Sequence, residues 1–346
     1  MDSKITNTYF SSICEELLAK PETWLITGVA GFIGSNLLEK LLMLNQKVVG
    51  LDNFSTGFKD NLLSVQSAVS EEQWKNFKMH EGSITDIEKC KFACKDVSYV
   101  LHQAALGSVP RSLKDPVATN RANIDGFLNI LVASKEAGIK KMVYAASSST
   151  YGDLATLPKV EDKIGNPLSP YAVTKLVNEL YADTFSRNYS YHCVGLRYFN
   201  VFGPRQNPSG SYAAVIPKWF LAMINQDSIT INGDGSTSRD FCFIDNVMQA
   251  NILSAKSNLQ KHEVFNVAVG DRTSLNELFD LIMKSLEKKQ ITYSKEVQFA
   301  DFRAGDVMHS QADISKAQNY LHYRPTHNIL AGIEKTAAWY APFTKD

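Results

Sequence analysis

A chain of 346 residues is long for one domain and leaves room for a large domain plus a smaller one. Its 44% apolar and 21% charged residues are ordinary for a soluble globular protein. The 36 basic residues equal the 36 acidic ones, so bulk charge argues for neither nucleic acid nor a membrane surface.

Residues 8–20 place Tyr9, Phe10, Ile13, Leu17 and Leu18 at helical spacing, which predicts a short amphipathic helical arm over 1–20. Glu15, Glu16 and Lys20 interrupt any apolar run there, so the segment does not read as a signal peptide. No stretch reaches the roughly 20 apolar residues of a membrane-spanning helix. The five cysteines, Cys14, Cys90, Cys94, Cys193 and Cys242, have no zinc-ribbon spacing. A cytoplasmic protein with reduced thiols and no metal is expected.

From Trp24 the pattern alternates. Trp24–Thr27 reads as a buried strand, a glycine-rich turn and a helix to about Leu44 follow, and Lys47–Leu51 is a second strand. Further strands are predicted near 77–80, 99–102, 141–145 and 192–196, with helices at 118–137 and 170–188 between them. Alternation of this kind implies an α/β fold, a Rossmann-like doubly wound parallel sheet. After Asn200 the rhythm breaks into Gly, Pro, Asn and Ser, and helices are predicted at 213–226, 245–256, 274–288 and 328–340. This second part reads as a smaller α+β domain over 201–346. The first domain spans 21–200, with a return segment around 240–270.

Gly28, Gly31 and Gly34 form a Gly-x-x-Gly-x-x-Gly run between the first strand and its helix. Gly28 permits the tight turn, Gly31 the approach of a pyrophosphate, and Gly34 close packing of helix on sheet. Asp52 ends the second strand, where a carboxylate accepts ribose hydroxyls and repels a 2′-phosphate, so NAD is expected rather than NADP. A turn-capping role is the alternative for this Asp, which precedes Asn53.

Tyr171 and Lys175 lie four apart on a predicted helix, hence on one face. An ammonium beside a phenol favours the phenolate, so this pair predicts a base able to take a proton from a sugar hydroxyl. Upstream, Ser147-Ser148-Ser149-Thr150-Tyr151-Gly152 follows a strand and supplies hydroxyls for the reacting oxygen. Taken alone, the Tyr–Lys spacing fits a surface pair, and the serines a polar loop.

The fingerprint, serine cluster and Tyr–Lys pair in this order resemble the extended short-chain dehydrogenase/reductase family, and the resemblance runs from Trp24 to about Trp339. It implies that Ser147 is the catalytic serine, with Ser149 lining the same site and Ser148 or Ser149 able to share the role. It also implies a cofactor surface of Phe32, Ile33, Asn53, Ser55, Thr56, Gly57, Ser83, Ile84, Gln103, Ala104, Ala105, Asn123, Tyr198 and Val201, with Tyr171 and Lys175. Several segments resemble UDP-sugar 4-epimerases. Arg197-Tyr198-Phe199-Asn200 resembles the strand end that contacts nicotinamide and diphosphate. Segments 238–241 and 302–306 resemble the two arginine segments that hold a UDP diphosphate through Arg239 and Arg303, with Asp306 at the ribose.

The segments 105–112 and 213–217 are similar to those of bacterial UDP-N-acetylglucosamine 4-epimerases of O-antigen and capsule pathways. Substrate residues implied in this way are Ser108, Ser147, Ser148, Ser149, Tyr171, Asn200, Ala214, Val215, Asn232, Arg239, Arg303, Asp306 and Ser310. Ser310 falls at the gate position, where a small side chain leaves room for an acetamido group. Met308 and Ser83 depart from the usual residues.

The function expected is reversible C4 epimerisation of UDP-GlcNAc to UDP-GalNAc through a 4-keto sugar. The uronate form is the alternative substrate. A dehydratase or decarboxylase is disfavoured because the loop lacks its acid–base residues, and a non-catalytic scaffold because Tyr171 and Lys175 are both present. The resemblance further implies a homodimer through a four-helix interface.

Overall fold

In the computed structural model, residues 7–209, 213–302 and 308–343 are described. Thr23–Thr27 (β1), Lys47–Asp52 (β2), Phe77–Glu81 (β3), Tyr99–His102 (β4), Lys141–Ser147 (β5) and Cys193–Tyr198 (β6) form one sheet with Glu263–Val267 (β7). The seven strands run in the order β7-β6-β5-β4-β1-β2-β3, and every pairing is parallel. Trp24, Leu25 and Ile26 are fully buried, as expected of a central strand covered on both faces. The order reverses beside β1, so a crevice opens at the carboxyl ends of the strands there. β7 joins the sheet only after the chain has left it at Tyr198 and passed through a second part that includes the helix Val215–Ile224.

The amino-terminal segment is a packed part of this body. Thr8–Ala19 (α1) starts at Asn7, whose side-chain oxygen Oδ1 accepts the Phe10 N–H and whose side-chain amide nitrogen donates to Gln249 and to the His322 carbonyl. Ile13 and Leu17 are buried, and the Gln46 amide donates to the Leu17 carbonyl while its oxygen accepts from Glu22 N and Trp24 Nε1. This amide network closes the gap between the arm and β1.

The helix predicted over 118–137 forms, with one local change. Pro116–Asn120 (α3) continues through a π turn at Arg121–Asp125 into Gly126–Glu136 (α4), with helical backbone angles at both junctions. The extra residue in the π turn turns Asn123 inward, where it accepts from Leu106 N (2.7 Å) and donates to Leu106 O (3.1 Å). A contact 17 residues away overrides local helical geometry.

Pro170–Tyr189 (α5) carries Tyr171 and packs on β5 and β6. Ile244–Ala255 (α6) covers the other face of the sheet, against β4, β5 and Phe32–Met43 (α2). Among the described residues, no helix is long and apolar enough to cross a membrane. All five cysteines are unpaired thiols.

Leu17 is 1% exposed whereas the adjacent Leu18 is 45% exposed. Leu17→Ala is therefore expected to cost about 2–4 kcal/mol in urea unfolding, and Leu18→Ala less than about 0.5 kcal/mol. Equal effects would mean that α1 is not part of the cooperative unit.

Candidate active site

The first turn is built on two close approaches. Gly28 has φ +70°, and a Cβ there would lie 2.8 Å from the Ala104 backbone. A Cβ on Gly34 would lie 2.1 Å from the Gly28 carbonyl oxygen. Only glycine lets the helix approach the turn and β4 so closely. Gly31 is the N-cap of α2 and provides no capping side chain, so the helix N-terminus faces the crevice with backbone N–H groups available to a phosphate.

A cavity of about 340 Å³ opens there. Gly28, Gly31, Phe32, Ile33, Gly34, Asp52, Asn53, Ser55, Thr56, Gly57, Ser83, Ile84, Gln103, Ala104 and Ala105 all line it. Asp52 accepts the Ala30 N–H on one oxygen (2.9 Å) and the Phe54 N–H on the other (2.8 Å). The turn-capping reading and the ribose reading thus coexist, because each carboxylate oxygen keeps a second lone pair. The residues present fit a dinucleotide: a glycine cradle, an uncapped helix terminus and an acidic strand end.

Tyr198, Val201 and Asn123 lie outside this lining. The Tyr198 hydroxyl donates to Gln103 (3.1 Å) and accepts from Asn251 (2.8 Å), and Gln103 donates to Asn251 (3.1 Å). This closed triangle ties α6 and β6 to the cofactor loop, and Asn251 was not apparent from the sequence because it sits on a helix 148 residues from Gln103. Asn123 joins the same loop to α5, donating to Thr174 Oγ1 (3.1 Å) while clasping Leu106.

Tyr171 meets the serine turn directly. Ser147 ends β5 and caps a 3-10 turn over Ser148–Tyr151. Its hydroxyl oxygen accepts from Ser149 N (3.1 Å) and from Ser149 Oγ (2.9 Å). With its acceptor sites engaged, the Ser147 hydroxyl has its own proton left to donate, and the Ser147 side chain acts to lower the Tyr171 pKa. The turn closes at Gly152 with φ +53°, where a Cβ would fall 1.8 Å from the Asn166 carbonyl.

Lys175 is buried one helical turn along, its Nζ donating to the Ala145 carbonyl (2.7 Å) and lying 5.9 Å from the Tyr171 ring centre. Burial pulls its pKa down to about 8, with Glu179 acting in the opposite direction. The expectation that Lys175 depresses the Tyr171 pKa does not hold in this state. Burial pushes the Tyr171 phenol up, against a lowering by the Ser147 bond. Desolvation penalises the phenolate, and the nearby ammonium is spent on the Ala145 carbonyl. His102, 2.8 Å from Thr27 Oγ1, is neutral for the same reason, its pKa driven down to about 3 by burial and by Lys175.

On the sugar side, Ser108 holds φ +93°, an unusual conformation for a non-glycine residue, and caps the helix Val109–Lys114. Ala214 caps the helix Val215–Ile224, Asn200 is exposed at the end of β6, and Asn232 ends a short strand over Thr230–Asn232. Arg239 Nη1 donates to the Ser238 (3.0 Å) and Met308 (3.2 Å) carbonyls, and Ser310 N donates to Ser238 O (3.1 Å). The Arg239 and Ser310 segments are therefore side by side. Arg303 and Asp306 lie outside the described residues.

Asp240, adjacent to Arg239, holds this junction. It is fully buried and accepts backbone N–H bonds from Val269, Gly270 and Ala312 at 3.0, 3.0 and 3.2 Å. Burial outweighs these bonds and lifts its pKa to about 7. Nothing in the local sequence marks it, because its partners come from two distant segments. Arg197, on β6, makes a buried bidentate pair with Glu179.

The sequence profile of the NAD dependent epimerase/dehydratase family matches residues 24–268. The chain belongs to that family, and its cofactor is NAD. Several of the proteins it resembles are UDP-sugar 4-epimerases. The UDP-N-acetylglucosamine 4-epimerase of Methanobrevibacter ruminantium, solved with UDP-N-acetylmuramic acid, is 37% identical, with a TM-score of 0.85 over 94% of this chain and 100% of that one. The UDP-glucuronate 4-epimerase of Thermodesulfobacterium geofontis is 35% identical over 91% of this chain and 95% of its own length. The UDP-glucose 4-epimerase of Thermus thermophilus, solved with NAD, is 29% identical, with a TM-score of 0.80 over 92% and 99%.

Asp52→Ala removes the acceptor for the Ala30 N–H in the fingerprint turn and for the Phe54 N–H in the next loop, and with them the carboxylate expected at the ribose. It is expected to weaken NAD binding at least about tenfold by calorimetry. Unchanged affinity would assign Asp52 to the turn alone.

Proposed function

We propose that this chain is a UDP-sugar 4-epimerase and that its substrate is a UDP-N-acetylhexosamine, interconverting UDP-GlcNAc and UDP-GalNAc. The observation that carries the chemistry is the Ser149–Ser147 hydrogen bond, which engages the Ser147 oxygen and leaves its proton for the Tyr171 phenol beside a buried lysine. Donation to the phenol oxygen favours its anionic form, the form that takes the O4 proton of the sugar. Ser147 then holds the reacting oxygen. When bound, NAD supplies the acceptor for the C4 hydride and the donor that returns it to the opposite face. Arg239, with Arg303, holds the diphosphate at a distance from C4, which leaves the sugar free to turn while it stays anchored.

One feature bears on the sugar. Ser310, next to the Arg239 segment, is small enough to leave space for an acetamido group.

We also infer a homodimer through the outer face of α5 and its neighbours. Leu180 on α5 is 58% exposed, and Leu113 and Val117 nearby are 63% and 76% exposed. Phe185, on the same helix, belongs to the core. Leu180→Asp is expected to convert a dimer to a monomer in light scattering, and a wild-type monomer would sink this assignment.

Incubation with UDP-GlcNAc and no added NAD is expected to yield UDP-GalNAc, faster than the corresponding turnover of UDP-GlcNAc-uronate or UDP-glucose. Product from none of these would refute the epimerase reading. Tyr171→Phe is expected to lower kcat by about 10²–10⁴ with NAD retained. The activity is also expected to decline as pH rises through about 8, where the charged form of Lys175 is lost.

A further inference from the structure

Tyr171, Lys175 and Glu179 recur every four residues along one face of α5. Glu179 is buried and faces β6, where Arg197 grips both of its oxygens, Nε at 2.9 Å and Nη2 at 2.7 Å, with both side chains under a tenth exposed. The other end of the guanidinium donates to the Glu161 carbonyl (3.0 Å) and lies 4.8 Å from the centre of the Tyr151 ring. Tyr151 ends the turn that carries Ser147 and Ser149, and its hydroxyl donates to Asn266 (2.7 Å). Asn266 in turn donates to the carbonyls of Lys159 and Asp313, both at 2.9 Å. One guanidinium therefore joins the Tyr171 helix, the serine turn and, through Tyr151 and Asn266, the segment that follows Ser310.

We propose that Arg197 and Glu179 form a positioning pair for the reaction, holding Tyr171 and Lys175 in register with Ser147 and keeping the Glu179 carboxylate from claiming Lys175. The proposal rests on the reading of Tyr171 and Lys175 as the proton-transfer site.

A buried carboxylate must be paired. Deprived of Arg197, Glu179 has Lys175 one turn away as its nearest cation, and an ion pair there would draw Nζ off the Ala145 carbonyl and stabilise its charged form. The groups that act on Lys175 are few. Its own helix supplies Tyr171 and Glu179, and β4 supplies His102, which is neutral. β5 offers a carbonyl and the Ser147 hydroxyl, while Arg197 from β6 and Tyr151 from the serine turn are engaged with each other. On the neighbouring helices, Lys114, Arg121, Asp125, Lys135 and Glu136 are exposed to solvent and Arg111 is half-exposed. No other carboxylate competes with Glu179 for Lys175 among the described residues that act on it.

The test follows the titration of Lys175 by NMR of lysine-labelled, NAD-loaded protein, assigned with Lys175→Met, together with kcat and KM for UDP-GlcNAc. In Arg197→Met the titration is expected to move up by about one pH unit or more. In Glu179→Gln it is expected to move down, and in the double variant to return towards wild type. Both single variants are expected to lose at least tenfold in kcat with KM changed less than twofold. A structural role alone would lower both activities without moving Lys175 in opposite directions. Should Arg197→Met fail to fold, Glu179→Gln decides by itself, and a Lys175 titration unmoved in it overturns the proposal. The NMR readout needs no turnover, so a wild-type chain inactive on every UDP-sugar would sink the site reading and leave this measurement standing.

Discussion

The approach of Gly34 to the Gly28 carbonyl is the constraint on which the rest of the site depends. It lets α2 begin directly against the carboxyl end of β1, with its first N–H groups unspent. A single methyl at Gly34 would overlap the carbonyl oxygen it faces. The turn is then braced from three sides: Asp52 accepts from Ala30, Gly28 N bonds Leu51, and Ala104 abuts Gly28. A parallel sheet puts these parts at one edge because its strands all end on the same side.

The proton-transfer groups are placed by a different set of contacts. Asn123, turned inward by a π turn, bonds the cofactor loop at Leu106 and the Tyr171 helix at Thr174. Asn251 and Tyr198 bond Gln103 from the far side of the sheet. Amides suit this work because each has donors and an acceptor, so one side chain can hold two segments in register without a charge. Charge is kept for places where it must be neutralised, as with Arg197 and Glu179, or where burial weakens it, as with Lys175.

Burial sets the electrostatics of the site. It lowers the Lys175 and His102 pKa values and raises that of Tyr171, each time disfavouring the charged form. Ionisation of the phenol is therefore opposed by burial and favoured by Ser147.

The amino-acid sequence by itself determined the alternation of strands and helices, the glycine turn, the Tyr171–Lys175 face and the serine cluster. Each is encoded in spacing along a few residues, where backbone geometry alone decides which side chains share a face. The tertiary structure decided what spacing cannot carry. It placed a π turn inside the 118–137 helix that brings Asn123 to Leu106, and it committed Asp240 to three distant N–H groups. It paired Arg197 with Glu179 in the interior, and burial there pushes the Tyr171 phenol up where local proximity to Lys175 predicted a fall. These outcomes depend on desolvation and on partners far away in the chain, so they exist only once the chain has folded.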